Sequence, residues 1–100
     1  MRVLVIDGDF MVTKSLMYAH LSRVFSFPTH FGNNLDALWD LLNECDEPTT
    51  IEFTHVDAVV EHLGTYGEKL VALFQKLNDE HDCYTIHFYN GTIKSKKIDL

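Results

Sequence analysis

The chain has no apolar run of about 18 residues, the length a membrane-spanning helix needs, so no membrane span is expected. It has no G-x-S-x-G elbow and no glycine-rich phosphate loop, which argues against a serine-hydrolase nucleophile and against a P-loop. Glycine and proline are sparse, with five and two among 100 residues, so neither a linker nor a low-complexity segment divides the chain, and one domain is expected. There are only two cysteines, Cys45 and Cys83. They lie far apart and flank no metal-ligand spacing, so free buried thiols are expected. The opening "MRVLVIDGD" lacks the apolar length and small-residue cleavage site of a signal peptide, and reads as the first strand of a cytoplasmic protein.

Positive charge is the most telling absence. From Val24 to Glu68 there is no lysine or arginine, while Asp36, Asp40, Glu44, Asp46, Glu47, Glu52, Asp57, Glu61 and Glu68 fall in the same window. Three of the eight basic residues, Lys94, Lys96 and Lys97, crowd the last seven positions, and the net charge is −7. Phosphates demand Lys and Arg, so direct nucleic-acid binding is not expected. A one-sided acidic potential attracts a basic protein partner and speeds its docking. The plainer possibility is a solvated acidic surface that aids solubility.

What is present is an alternation of strand and helix signals. "RVLVID", residues 2 to 7, is a continuous β-branched run that fits a strand buried on both faces. A turn at "GD" leads to a helix over 13–25, with Thr13 as N-cap and Leu16, Ala19, Leu21 and Val24 as its apolar face. Pro28 and Gly32 break the chain before a second helix that runs to about Cys45. "TIEFTH", 50–55, alternates as a second strand. A short helix over 56–64 stops at Gly64, and a longer one carries Leu70, Leu73, Phe74 and Leu77 at core spacing. "CYTIHFY", 83–89, is a third strand, and Asn90-Gly91 opens either a hairpin or a tail. The order β-α-α-β-α-α-β predicts a small α/β domain over 1–89, a three-stranded parallel sheet packed by about four helices, with 90–100 as a C-terminal extension.

Chemistry-bearing residues are few. Asp7 and Asp9 lie just past the first strand, where α/β folds often bind ligands, and two aspartates can hold Mg²⁺ for phosphoryl transfer. No cationic companion or phosphate loop accompanies them, and Asp-Gly is a common turn dipeptide, so a turn is expected there. The six histidines show no i, i+2 or i, i+4 pairing. No metal site, cofactor or catalysis is expected.

"FGNNLDALWDLL", 31–42, does not explain itself so simply. Stepped at about 100° per residue, Leu38, Leu41 and Leu42 cluster on one side of a helix. Asp36, Asp40 and Asn43 share another, with Trp39 at the seam. Asp36 suits the first helical turn, where the dipole favours a carboxylate. Asp40 has no such excuse, and like charges one turn apart cost about 0.2–0.5 kcal/mol. An aromatic beside charged anchors is a common form of interface hot spot.

"NLDALWD", Asn34 to Asp40, preceded by Gly32, resembles the central segment of the barstar family of intracellular ribonuclease inhibitors. The resemblance extends in order over residues 1 to about 89. It implies a three-stranded parallel sheet packed by helices and no catalysis of the chain's own. It also implies an acidic helix and preceding loop that plug the active site of a basic ribonuclease at 1:1, as an antitoxin or immunity protein. Carried over, Asp36 and Asp40 meet the enzyme's Arg and Lys residues, Asn34 orients the loop, and Trp39 packs beside the site. His30 stands where the family has a tyrosine, next to Phe31. Glu44 or Cys45 stands where it has a tryptophan, and Lys76 reverses the charge of an acidic contact. Two alternatives stay open: an acidic module of the same fold with a non-nuclease basic partner, and a Mg²⁺-dependent phosphotransfer enzyme built on Asp7 and Asp9. An RNA-cleavage assay separates the first alternative, and phosphoester turnover the second.

Overall fold

The computed structural model describes residues 1–29 and 31–98. β1 (Arg2–Asp7) leads through a 3-10 turn at Gly8–Phe10 to α1 (Lys14–Phe25) and α2 (Leu35–Leu42). β2 (Thr49–Thr54), α3 (Val56–Leu63), α4 (Thr65–Glu80), β3 (Tyr84–Tyr89) and β4 (Lys97–Ile98) follow. Local chemistry explains the boundaries. The Leu16 N–H donates to Thr13 Oγ1 at 3.1 Å, so Thr13 caps α1 as expected. Gly64 separates α3 from α4 at φ 56° and ψ −130°, a backbone shape that a side chain would oppose.

The sheet runs β1-β2-β3-β4. The first three strands are parallel, with Leu4, Ile51 and Ile86 in one row. The fourth is antiparallel, pairing Phe88 with Ile98 and Tyr89 with Lys97. The sheet is therefore four-stranded and mixed, not three-stranded and parallel. Gly91, at φ 106°, helps the chain reverse after β3, and its carbonyl accepts the His55 N–H at 2.8 Å.

The core lies on one face of the sheet. Ile6, Ile51, Phe53, Ile86 and Phe88 point into it and meet Leu21 of α1, Leu38 and Leu42 of α2, Val59 of α3, and Leu70, Phe74 and Leu77 of α4. β1 is an edge strand whose other face is open: Val3 is 60% and Val5 49% exposed. The expectation of a first strand buried on both faces fails because the apolar run supplied a strand but not its neighbours. α1 is also rotated from its expected face. Leu21 is buried, but its companions are Met17, Tyr18, His20 and Phe25, while Leu16 is 50% exposed. Tyr18 and His20 can be buried because each finds a polar partner, the Tyr66 hydroxyl and the Asp7 N–H.

The cysteines are not free. Cys45 and Cys83 form a disulfide, with Cα atoms 6.3 Å apart. They lie 38 positions apart in sequence, and only the fold sets the end of α2 against the start of β3. Among the described residues, no helix is long and apolar enough to cross a membrane.

Candidate protein-binding site

The loop before α2 is built from aromatics. Phe31 is half-buried, edge-on to Tyr18 at 5.7 Å and tilted against Phe27 at 4.9 Å. The Phe31 N–H donates to the Pro28 carbonyl at 3.0 Å. Burial and the hydrogen bond with Tyr66 push the Tyr18 hydroxyl well above its ordinary value, so this support stays neutral. His30, expected here as a partner contact, lies outside the described residues.

Asn34 fixes the helix entrance from both ends of its amide. Its Oδ1 accepts the Ala37 N–H at 2.8 Å, and its Nδ2 donates to the Gly32 carbonyl at 3.2 Å. Asn34 is thus the N-cap and the clamp that shapes the Gly32 loop. Asn43 closes the other end, its Nδ2 donating to the Trp39 carbonyl at 2.8 Å. Beyond it the Tyr84 hydroxyl donates to the Leu42 carbonyl at 2.6 Å, and the disulfide holds Cys45. Both ends of α2 are anchored.

Between these anchors Asp36 and Asp40 stand exposed one turn apart, and Trp39 lies half-buried beside them. A shallow groove of about 330 Å³ opens on one flank, lined by Leu35, Asp36 and Trp39 of α2 and by Ala72, Leu73 and Lys76 of α4. Another, of about 220 Å³, opens on the other flank, lined by Pro28, Phe31, Gly32, Ala37, Asp40 and Leu41. The helix is therefore an acidic ridge with a mostly apolar trough on either side. Lys76 lies over the Trp39 ring, 5.0 Å from its centre. Glu44 is exposed just past the helix.

Other acids of the same sequence window are occupied within the fold. Glu47 lies 3.6 Å from Arg2 and 3.7 Å from the Met1 ammonium. Glu52 accepts the Tyr89 hydroxyl at 2.5 Å and faces His87 Nδ1 at 2.9 Å. Burial alone would raise the Glu52 carboxyl, but these partners outweigh it and hold the pKa below the ordinary value. The sequence counted Glu47 and Glu52 with the free acids because their partners come from other strands.

Asp7 and Asp9 form the expected turn, the Asp9 N–H donating to Asp7 Oδ1 at 3.0 Å. The fold adds a residue the sequence did not suggest. His55, at the end of β2, presents Nδ1 to Asp7 at 2.9 Å and Nε2 to Asp9 at 3.3 Å. The three ligand atoms lie within 4.8 Å of one another, so this donor set has the dimensions to hold a metal ion. As built, the carboxylates and the ring satisfy one another. Gly8 permits the approach, since a Cβ there would collide with the His55 carbonyl.

The fold and this ridge define a small two-layer α/β domain that presents one anchored acidic helix. The chain matches the model of the family described as Barstar (barnase inhibitor) over residues 1–90. It is 31% identical over 81 residues to "Putative ribonuclease inhibitor YrdF" of Bacillus subtilis (strain 168), spanning 80% of this chain and 89% of that protein. The chain belongs to the barstar family.

Proposed function

We propose that the chain inhibits a basic ribonuclease at 1:1 by seating α2 and the preceding loop in the enzyme's active site. The observation that carries this is the pair Asp36 and Asp40, exposed on a helix anchored at both ends, with a groove on each flank. Two carboxylates about one turn apart on a rigid support can stand in for the phosphates of an RNA substrate. A cationic cleft would remove the repulsion that the free helix tolerates. The apolar walls of the grooves receive the rim of the enzyme, and Trp39 supplies aromatic contact area. Asn34, Gly32 and Phe31 shape the loop, with Asn43, Glu44 and Lys76 around the periphery; His30 is carried as a further partner contact from the family resemblance alone. Membership of a family described by its barnase inhibitor, and the name of the Bacillus relative, support this reading.

The proposal includes an antitoxin or immunity role in the cytoplasm, where Cys45 and Cys83 would meet a reducing thiol pool. It takes residues 1–89 as the inhibitory unit and 90–100 as a C-terminal extension, whose β4 pairs with β3. The test is RNA cleavage by a basic ribonuclease titrated with the chain, beside the Asp40→Ala variant. Inhibition should saturate at one chain per enzyme. Asp40→Ala should weaken it strongly while leaving the denaturation midpoint nearly unchanged. A proportionate loss of stability and inhibition, or no inhibition of any basic ribonuclease bound, would overturn it.

A further inference from the structure

Phe31 is where the rest of the fold reaches the groove beside Asp40, since its side chain forms part of that groove's lining. Two rings hold it, Phe27 at 4.9 Å and Tyr18 at 5.7 Å. The two contacts differ in kind. Phe27 lies in the same connection between α1 and α2, stacked on Phe25 at 5.3 Å. Apolar burial of this sort is non-directional. Tyr18 comes from α1, is 3% exposed, and meets Phe31 edge-on at 64°. Its hydroxyl is hydrogen-bonded to the Tyr66 hydroxyl in the first turn of α4. Among the described residues this is the one hydrogen bond that either hydroxyl makes. Lys14 of α1 steadies Tyr66 in turn, its ammonium 4.2 Å from the centre of the ring.

Folding alone does not call for this hydroxyl pair. Two apolar groups of the same shape can replace a hydrogen-bonded pair at almost no cost in stability. What two phenylalanines cannot supply is direction. A hydrogen bond weakens steeply as its angle departs from the preferred one, so the bond to Tyr66 fixes how the Tyr18 ring stands. The face that Phe31 packs against is fixed with it.

We propose that Tyr18 and Tyr66 are positioning residues for inhibition: their hydroxyl pair sets the Tyr18 ring, which sets Phe31 and with it the groove beside Asp40. Both act through Phe31 and not by touching the enzyme. The signal runs from α4 through α1 to the loop, so the start of α4 governs a groove that it does not line. The effect on a ribonuclease rests on the inhibitor reading. The hold on Phe31 does not.

Two phenylalanine variants of the full chain separate positioning from stability. Tyr66→Phe leaves the buried Tyr18 hydroxyl without its partner and should lower the urea midpoint. Tyr18→Phe/Tyr66→Phe removes both hydroxyls, keeps both rings and should bring the midpoint back near that of the unaltered chain. It does not bring back the directional hold. The Phe31 amide donates to the Pro28 carbonyl at 3.0 Å, and in the double variant its hydrogen exchange should quicken about three- to tenfold, the span of an ordinary hydrogen bond. Inhibition of barnase, the ribonuclease in the family's description, should weaken by about the same factor. In a Phe31→Ala background the two tyrosine substitutions should weaken inhibition no further, because the residue they act through is gone. Full inhibition by the double variant, or Phe31 exchange as slow as in the unaltered chain, would overturn the proposal. So would a loss of inhibition that persists in the Phe31→Ala background, which would make the tyrosines direct contacts. Failure of the unaltered chain to inhibit counts instead against the inhibitor reading, and Phe31 exchange then decides the hold on the loop by itself.

Discussion

The Lys76 ammonium lies 5.0 Å from the centre of the Trp39 ring, joining α4 to α2 across the groove that Asp36 also lines. A cation stacked on an aromatic at an exposed site is worth about 0.5–1 kcal/mol. It also gives this groove a mixed charge, whereas the groove beside Asp40 has no lysine or arginine among its described lining residues. Lys76→Ala should lower the unfolding free energy by about 0.5–1 kcal/mol in urea denaturation. Trp39 is the only tryptophan, so its emission should shift with the loss of the overlying charge. If the partner is a basic ribonuclease, the same substitution should raise the association rate, and the gain should shrink in high salt.

Asp36 and Asp40 are the reverse case, residues whose removal should help the free chain. Both are exposed, and their mutual repulsion costs about 0.2–0.5 kcal/mol. Replacing Asp40 by Asn should leave stability equal or slightly higher, because Asp36 keeps its favourable place in the first turn. Ribonuclease inhibition should fall. Thermal melts of the free variant beside inhibition titrations check both halves.

His20 makes folding sensitive to mild acid. Its Nε2 accepts the Asp7 N–H, so Nδ1 carries the proton in the neutral ring and is buried without a partner. Burial lowers the His20 pKa from 6.5; Asp7 opposes this, and Arg23 adds to it. The unfolded chain therefore takes up this proton first as the pH falls. The stabilisation is fully present above about 6.5 and is lost progressively below it. Urea denaturation from pH 8 to pH 5 should show this decline, and His20→Gln should flatten it.

The disulfide should matter more to stability than to recognition. It closes a sequence separation of 38 residues, for which chain entropy predicts about 2–4 kcal/mol. A reducing agent, or Cys83→Ser, should lower the unfolding free energy by about that amount. Inhibition measured well below the melting temperature should change little, because Asn34 and Tyr84 still hold the helix ends. Thiol titration of the unreduced chain should find no free thiol.

Most of the elements were legible in the sequence because their signals are local. The β-branched run of β1, the Thr13 cap, the Gly64 stop and the leucine spacing of α4 each act within a few residues, and each element stands where it was expected. The ridge was legible for the same reason: helical periodicity alone separates Asp36 and Asp40 from Leu38 and Leu42. Illegible were the features that join distant residues. Nothing in "IDGDF" announces His55, nothing near Cys45 announces Cys83, and Glu52 looked like a free acid until β3 brought Tyr89 beside it.

By itself, then, the sequence determined the order of strands and helices, the acidic face of α2 and the motif that places the chain in its family. These depend on backbone propensity and spacing, which act over a few residues. Only the tertiary structure decided that the helices gather on one face of the sheet and that β4 joins it. It also decided that β1 keeps an open edge, and which acids are free to meet a partner. Those outcomes are set by which surfaces exclude water together, and that depends on residues the chain holds far apart until it folds.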